Sequence, residues 1–368
     1  MYTIIAKITH DCNLQCKYCY VGDNAEKGKM NDETLRNLLT KTAELNKEGK
    51  TSIIWHGGEP LLLGIDFYKK IIEYQKAIPN HTFSNSIQSN GTLLNEQFLD
   101  FFEENKFRIG LSIDGIKETH EQNRPCKSGK SSFENTLNWA NELKKRNIGG
   151  GAICVLNKNT APHIAEIYKF AKEKQINFKF NPQLPAGQAL INDDLGLTPE
   201  ELAETYIELF DTWFFDDTEY IPRIEPFEGI IKGMGESKNK KHREIIPFGC
   251  CFRNNCAYSF LAVVPNGNIY PCGRFVGDNN FLYGNVNSGE LLEILESPIR
   301  QKFIERNKGL TECAKCEYNK ICNSGCPDHS YLFYGNIMQK DPYCYTYKKL
   351  FKHIENILIN ELKDFENE

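Results

Sequence analysis

The stretch "THDCNLQCKYCYV" (residues 9–21) carries three cysteines spaced C-x3-C-x2-C, and the next cysteine is Cys126. A closed structural zinc or iron site takes four protein ligands. Three thiolates can instead hold three irons of a [4Fe–4S] cube, which leaves the fourth iron open to a small chelating ligand. The motif follows the apolar stretch "TIIAKIT" (residues 3–9), which is typical of a first strand. The spacing favours an open iron–sulfur cluster at the end of that strand, with a zinc knuckle as the alternative.

The overall composition is that of a globular enzyme. The chain has 368 residues, 40% of them hydrophobic and 25% charged, with a net charge of −5. This charge gives no electrostatic reason to expect nucleic acid or a membrane surface as a partner. No apolar run is long enough to span a membrane, and the N-terminus does not resemble a signal peptide. The 14 cysteines therefore predict metal-binding thiolates in a cytoplasmic protein rather than a disulfide framework.

The first 200 residues alternate between strand and helix patterns. One helix is predicted to begin near Asn31, and another has a capping box of Thr198 and Glu201. Six βα units predict a parallel sheet, whereas a closed barrel of this type needs eight. We therefore expect an α/β fold with a partial (β/α)6 TIM-like barrel, whose chemistry lies at the C-terminal ends of the strands. The strands are predicted at 3–9, 52–57, 82–89, 108–114, 151–156 and 177–182.

A second, smaller domain is predicted after the barrel. The stretch "GESKNKKHRE" (residues 235–244) has the composition of a charged linker, so we expect a barrel over residues 1–234 and a small iron–sulfur domain over residues 235–368. The second part is rich in Cys, Gly, Asn and Tyr and has weak helical periodicity before its last helix. We expect metal, rather than a hydrophobic core, to stabilise it.

Four further motifs follow the predicted strands: "HGGEP" (56–60), "QSNGT" (88–92), "SIDG" (112–115) and "HEQNR" (120–124). The three cysteines, the aromatic Tyr18 and all of these motifs except "QSNGT" resemble the radical S-adenosylmethionine (SAM) enzymes. In that family, SAM chelates the open iron and is cleaved to a 5′-deoxyadenosyl radical that abstracts hydrogen from the substrate. The resemblance implies cluster ligands Cys12, Cys16 and Cys19, and SAM contacts from Tyr18, Gly57, Gly58, Glu59, Ser112, Arg124 and Leu184.

Some of these side chains also have ordinary structural interpretations. Ser112 could be a turn hydroxyl and Arg124 a surface ion pair. Gln88 and Asn90 could face the cavity or form the turn. Among the other cysteines, Cys154 lies in an apolar strand and is expected in the core.

The C-terminal cysteines resemble the seven-cysteine SPASM domain found in one branch of the radical SAM enzymes. In that family the domain holds two auxiliary [4Fe–4S] clusters, so three clusters are implied in all. Both Cys250 and Cys251 could be the upstream ligand, and the spacing to Cys256 favours Cys250. Zinc is an alternative at residues 313–326, and Cys126 is expected to be an inert loop thiol. The implied ligands are Cys250, Cys256, Cys272 and Cys326 for one cluster, and Cys313, Cys316, Cys322 and Cys344 for the other.

Two kinds of radical chemistry fit this resemblance. Anaerobic sulfatase-maturating enzymes oxidise a Cys or Ser to formylglycine, and an aspartate after the cysteine of their "YPC" unit is their general base. Here Gly273 takes that position, and Asp278 would need a different loop to replace it. The stretch looks more like the maturases that cross-link ribosomally made peptides through thioether, C–C or C–O bonds, so we expect that activity ahead of sulfatase maturation. No general base is identified from the sequence.

The expected partners follow from the same resemblance. They are a peptide or protein substrate and an electron donor such as flavodoxin or ferredoxin, with no nucleic acid or membrane. The chain starts directly at its first strand, so we expect no N-terminal leader-binding domain. Recognition would then use the barrel rim, the SPASM surface or a separate protein. The alternatives from other classes are an iron–sulfur electron-transfer protein and a zinc-stabilised binding module.

Overall fold

A computed structural model describes residues 2–21, 28–238, 250–252 and 256–367. Its strands form a single ten-stranded sheet in the order β10-β9-β8-β1-β2-β3-β4-β5-β6-β7. Strands β1 to β7 are parallel and adjacent in chain order, as expected for successive βα units. The strands are β1 Thr3–Thr9, β2 Lys50–Gly57, β3 Thr82–Ser89, β4 Arg108–Ser112, β5 Gly149–Leu156, β6 Phe178–Pro182, β7 Ile224–Glu225, β8 Phe260–Val263, β9 Asn268–Tyr270 and β10 Gly284–Asn285.

The barrel is open, which confirms the predicted partial barrel. β7 has only two residues and pairs with β6, and its other edge does not meet β1. All six predicted strands are present, and β1 and β3 have the predicted bounds. β4 ends at Ser112, two residues earlier than expected, and β5 begins two residues earlier, at Gly149.

Helices connect the parallel strands and cover the outside of the sheet. The apolar side chains of β1, Ile4, Ala6 and Ile8, lie in the main core with residues of these helices. No helix in the described part of the chain is long and apolar enough to cross a membrane. The helices are α1 Asp32–Leu45, α2 Ile65–Lys76, α3 Glu96–Glu104, α4 Lys117–Asn123, α5 Phe133–Lys145, α6 Ile164–Lys174, α7 Pro199–Phe214, α8 Phe227–Lys238, α9 Cys256–Ser259, α10 Leu291–Ile294, α11 Pro298–Asn307, α12 Asn319–Cys322, α13 Pro327–Tyr334 and α14 Cys344–Asn367.

The C-terminal part continues the barrel sheet. β8 pairs with β1 in parallel, and β9 and β10 follow in antiparallel. The expectation that this part has no hydrophobic core is wrong, because a second apolar cluster lies here. Phe275 and Phe281 pack with ring centroids 4.4 Å apart, and Phe303 closes the cluster. The division at residue 234 stays a prediction, since most of the charged stretch 235–244 lies outside the described residues.

The capping box of α7 gives a first test. The Thr198 hydroxyl accepts from the Glu201 N–H at 3.2 Å, and the Glu201 carboxylate accepts from the Thr198 N–H at 2.8 Å. Thr198→Ala should lower the Tm by about 2 °C, because the cap contributes about 1 kcal/mol. The control is Thr212→Ala in the same helix, whose exposed hydroxyl bonds only to the Glu208 carbonyl. Equal Tm shifts in anaerobic calorimetry would contradict this role of the cap.

Candidate active site

The loop with the first three cysteines begins where β1 ends. Backbone hydrogen bonds attach it to the segment after α4: the Gln15 N–H donates to the Pro125 carbonyl and the Lys17 N–H to the Asn123 carbonyl, both at 2.9 Å. On the other side, the carbonyl of Cys19 accepts from a backbone N–H at 2.8 Å. Main-chain hydrogen bonds on both sides therefore fix the backbone of this loop, and with it the positions of the three cysteines.

Two glycines after β2 allow the closest contact with this loop. A Cβ on Gly57 would overlap the Thr9 carbonyl oxygen, and one on Gly58 would overlap that of Asp11. The Gly58 N–H donates to the Thr9 carbonyl at 2.8 Å, and the next N–H, that of Glu59, donates to the Asp11 carbonyl at 2.8 Å. Both glycines also line the cavity. They are thus required for two backbones to pack against each other, in addition to any contact with a ligand.

Glu59 has a different position from its two neighbours. Its carboxylate is fully buried, and it accepts from the Ser89 hydroxyl at 2.9 Å and from the N–H groups of Asn90 and Leu61 at 2.8 and 3.0 Å. Burial raises its pKa to about 7. Glu59 does not belong to the described cavity lining. Its side chain connects the loops after β2 and β3, and its contact with SAM stays a prediction.

Arg124 and Tyr18 meet at a buried carboxylate. Arg124 Nε lies 2.9 Å from Asp114 Oδ2, with both side chains almost fully buried. The Tyr18 hydroxyl donates to the same oxygen at 2.6 Å, and the Val155 N–H donates to Oδ1 at 3.0 Å. The ion pair is therefore internal, not on the surface. It places the Tyr18 ring and the guanidinium of Arg124 in the cavity wall.

The remaining predicted contacts also line the cavity. The Gln88 amide donates to the Ser112 hydroxyl at 3.1 Å, so side chains of the adjacent strands β3 and β4 contact each other in the cavity wall. The Asn90 amide lies 3.9 Å from Cys12 Sγ. Leu184, after β6, is mostly buried and forms part of the wall.

One cavity contains cysteines from both groups. Its volume is about 430 Å³, within the usual range for a small-molecule site. Its wall crosses from the strand ends of the barrel to the loop after β9, so a ligand here contacts both parts of the chain. The lining cysteines are Cys12, Cys16, Cys19, Cys250, Cys256, Cys272 and Cys326.

This set of thiols fits the iron–sulfur clusters that the resemblance implies. Burial raises the pKa of Cys16 and of Cys272 to about 12, so a thiolate at either position needs positive charge such as that of iron. The Cys250 thiol lies within hydrogen-bonding reach of Cys256. In the described residues, no three Cys, His, Asp or Glu side chains converge on one metal ion. Thiolates that hold a cube bind separate iron atoms.

The other four cysteines that the resemblance implies as cluster ligands are not part of the described lining of this cavity. Cys313, Cys316 and Cys322 belong to the turns around α12, and Cys344 begins α14. Cys344 lies within electrostatic range of Cys313 and Cys316. Their assignment to a separate cluster stays a prediction. Cys154 is fully buried in the core, as expected.

Asp278 does not replace the carboxylate that is missing at Gly273. Its Oδ2 accepts from the Tyr331 hydroxyl at 2.6 Å, and its Oδ1 accepts from the Asn280 N–H at 2.9 Å. It is also not part of the described cavity lining, whereas Gly273 is.

Several cavity residues were not singled out from the sequence. Lys179 and Glu225 form an ion pair of 3.5 Å at the open edge of the barrel and line the cavity. Arg274 lines the wall beside Gly273. In the sequence, its position two residues after Cys272 was the signal that could have indicated this. Lys7, buried in the middle of β1, is not part of the described lining but lies next to it, since a Cβ on Gly273 would be 3.4 Å from its Cε.

The family of the chain is decided by comparison with known sequences. The sequence profile of the radical SAM superfamily matches residues 6–171, and that of the SPASM iron–sulfur cluster-binding domain matches residues 250–317. The chain is 31% identical over 372 residues to the cysteine-type anaerobic sulfatase-maturating enzyme of Clostridium perfringens (strain 13), and the match covers 97% of each chain. The chain belongs to the radical SAM superfamily. It is a radical SAM enzyme of the branch with a SPASM domain.

Solved structures of radical SAM enzymes agree with this fold. Native anSMEcpe with bound AdoMet and Cp18Cys peptide superposes with a TM-score of 0.85 and 29% identity, covering 99% of both chains. Streptococcus suis SuiB bound to precursor peptide SuiA shares the fold, with a TM-score of 0.65 and 16% identity over 93% of this chain and 75% of that one. The electron-transfer and zinc-module alternatives are therefore not supported.

The glycine pair of this radical SAM site gives the second prediction. Gly58→Ala places a methyl group on the Asp11 carbonyl and should displace the cysteine loop. We expect reconstituted protein to lose about four irons and SAM cleavage to fall about a hundredfold, because small misplacements at reacting groups are costly. Gly149→Ala is the control, since its Cβ would meet only ordinary contacts at 3.7 Å. Wild-type iron content and cleavage in Gly58→Ala would exclude this role.

The choice between Cys250 and Cys251 gives the third prediction. Because Cys250 lines the cavity and contacts Cys256, we expect Cys250→Ala to lose about four of about twelve irons. Cys251→Ala, the adjacent and chemically identical change, should keep full iron content. Iron and sulfide analysis of the two reconstituted variants checks this, and the reverse result would assign the ligand to Cys251.

Proposed function

We propose that this radical SAM enzyme oxidises a peptide by two electrons and forms a cross-link in it, a thioether or a C–C or C–O bond. The observation that carries the proposal is the single cavity lined by the cysteines of both groups. A substrate in that cavity would lie between the thiols that we propose hold the first cluster and the thiols that we propose hold an auxiliary cluster. A two-electron oxidation needs both an acceptor for the hydrogen atom and an acceptor for the second electron.

The residues of the chain would divide this work between the two walls. We propose that Cys12, Cys16 and Cys19 hold the cluster that binds SAM, and that SAM supplies the hydrogen-atom acceptor and is consumed to 5′-deoxyadenosine and methionine. Tyr18 and Arg124, fixed by a buried carboxylate, form the wall beside this cofactor. We propose that Cys250, Cys256, Cys272 and Cys326 of the SPASM part hold the auxiliary cluster on the opposite wall.

Gly273 favours cross-linking over sulfatase maturation. The resemblance assigns a proton-accepting aspartate to this position in the sulfatase-maturating enzymes, and glycine has no side chain to accept a proton. Asp278 is engaged elsewhere. A cross-linking reaction still releases one proton, which can leave through another base or through solvent.

Formylglycine formation is the second candidate. The observation that favours it is the 31% identity to a cysteine-type anaerobic sulfatase-maturating enzyme over 97% of both chains. Structures with bound peptide, on both anSMEcpe and SuiB, support a peptide or protein substrate for either reaction. An external one-electron donor such as flavodoxin or ferredoxin completes both proposals.

The fourth prediction separates the roles of the cysteine groups. Cys16→Ala should abolish 5′-deoxyadenosine formation with dithionite. Cys322→Ala should keep part of it and lose the peptide product, because Cys322 lies outside the cavity. Cys126→Ala is the matched control and should behave as wild type. SAM cleavage by Cys16→Ala at the wild-type rate would overturn the site assignment.

The product mass then decides between the two reactions. The test incubates the enzyme with small cysteine-containing peptides encoded beside its gene, and separately with a sulfatase peptide. A cross-link removes two hydrogen atoms and keeps all sulfur. Formylglycine formation from cysteine removes two hydrogen atoms and exchanges the sulfur for oxygen. Formation of formylglycine alone would replace our proposal with the second candidate.

A further inference from the structure

The cavity has a positively charged corner between the two groups of cysteines. Arg274, two residues after Cys272, lines it with about a third of its side chain exposed. Lys7 of β1 lies beside it, with Nζ 4.6 Å from the ring centroid of Tyr20. Tyr20 itself directly follows the cluster ligand Cys19 and is also part of the lining. A substrate placed between the clusters must pass this corner.

Gly273 leaves this corner open, although its backbone does not require glycine. Its φ is not in the left-handed region, unlike that of fifteen other described glycines. A Cβ there would meet Ile5 Cγ2 and Lys7 Cε at 3.4 Å, which is ordinary contact. An alanine would therefore fit. The absence of a side chain creates space next to Arg274.

The guanidinium of Arg274 is held in place from behind. Its Nη1 lies 2.8 Å from His329 Nε2 and 3.6 Å from Asp328 Oδ2. Because guanidinium only donates, Nε2 accepts, and the imidazole donates its Nδ1 proton to Asp341 Oδ2 at 3.0 Å. The same carboxylate accepts the Cys326 N–H at 2.8 Å. Both side-chain contacts of Arg274 use Nη1, so Nη2 is not needed to hold the group.

The carboxylates of the protein balance only part of the charge at this corner. The other cations of the lining are paired, Arg124 with Asp114 and Lys179 with Glu225. Among the described residues, no carboxylate lies within ion-pair distance of Lys7, whose burial lowers its pKa to about 8. Lys7 and Arg274 therefore face one carboxylate, Asp328, together with the thiols of Cys19 and Cys272. Because Nη2 of Arg274 is not used to hold the group, it can donate to an anion bound in the cavity.

We propose that Arg274, in the space left by Gly273, binds a carboxylate of the peptide substrate close to the residue that is oxidised. The carboxylate belongs to an acidic side chain or to the C-terminus of the peptide. Guanidinium binds carboxylate through two parallel hydrogen bonds, so it fixes orientation as well as position. This inference rests on the proposed peptide substrate and adds to it the class of residue recognised.

The fifth prediction uses a peptide library as the probe. Anaerobic, cluster-loaded enzyme with SAM is immobilised and exposed to acetylated peptides with a central cysteine and randomised flanks. One library has amidated C-termini and the other has free C-termini. Retained peptides are sequenced by mass spectrometry. We expect Asp and Glu to be enriched over Asn and Gln by about tenfold or more in the amidated library, because a hydrogen bond to a charged group contributes enough for that ratio. A preference for free C-termini alone would assign the terminal carboxylate.

Three variants and one control test the residue itself. Arg274→Gln should remove the enrichment, and Arg274→Lys should retain part of it. Gly273→Asp should also remove it, because the new carboxylate adds a negative charge at this corner, beside Lys7, and repels a substrate carboxylate. Arg108→Gln, an exposed change at the far end of β4, should leave it unchanged. Iron content is measured in each variant. If Arg274→Gln loses iron, its loss of enrichment is not interpreted, and the result for Gly273→Asp decides the test.

The proposal is overturned if wild-type enzyme shows no preference for carboxylates, or if the preference survives Gly273→Asp. Binding is measured separately from chemistry, so the outcome does not depend on the reaction. A carboxylate preference without any oxidised product would contradict the proposed function and leave this inference intact. A cross-linked product formed without a carboxylate preference would support the proposed function and contradict this inference.

Discussion

The parallel pairing of β8 with β1 fixes the distance between the two groups of cysteines. Thr3 to Ala6 pair in register with Phe260 to Val263. β1 leads directly into the first cysteine loop, and the hairpin that starts at β8 leads to Cys272. Because both loops leave one continuous sheet, their thiols meet in one cavity. The same pairing covers the exposed edge that an open barrel would otherwise present.

Two buried carboxylates then hold the loops around this cavity. Glu59 joins the loop after β2 to the end of β3, and Asp114 joins the cysteine loop to α4 and β5. A buried carboxylate is costly unless donors surround it, and each of these accepts at least three hydrogen bonds. The penalty for removing any one donor makes the arrangement of loops specific. The rigid wall that a reactive radical requires is thus built from polar contacts as much as from apolar packing.

The sequence predicted the features that depend on local pattern. The bounds of β1 and β3, the capping box at Thr198 and the open barrel follow from spacing along the chain. The short strands β7 to β10 have too few residues for an alternation of apolar and polar side chains to be recognised in the sequence. The aromatic cluster of the C-terminal part joins residues far apart in the chain, from Ala257 to Ile337, so no single stretch indicated it.

The same limit applies to the candidate site. Cysteine spacing is local, so the ligands could be grouped from the sequence. That seven of these thiols share one cavity depends on the pairing of β8 with β1, which no motif encodes. Arg274 and His329 are 55 residues apart in the chain, and their contact exists only in the folded protein.

Gly273 and Arg274 are best understood as one feature. A carboxylate at position 273 would add a negative charge at this corner, because a Cβ there lies 3.4 Å from Cε of Lys7. With glycine, the space stays open and the guanidinium can reach a ligand. In our proposal, the glycine at position 273 thus bears on substrate recognition as well as on proton transfer. Identity of 31% to a sulfatase-maturating enzyme over the whole chain fixes the family but leaves room for a different substrate, and position 273 lies in the wall of the cavity where we propose that the substrate binds.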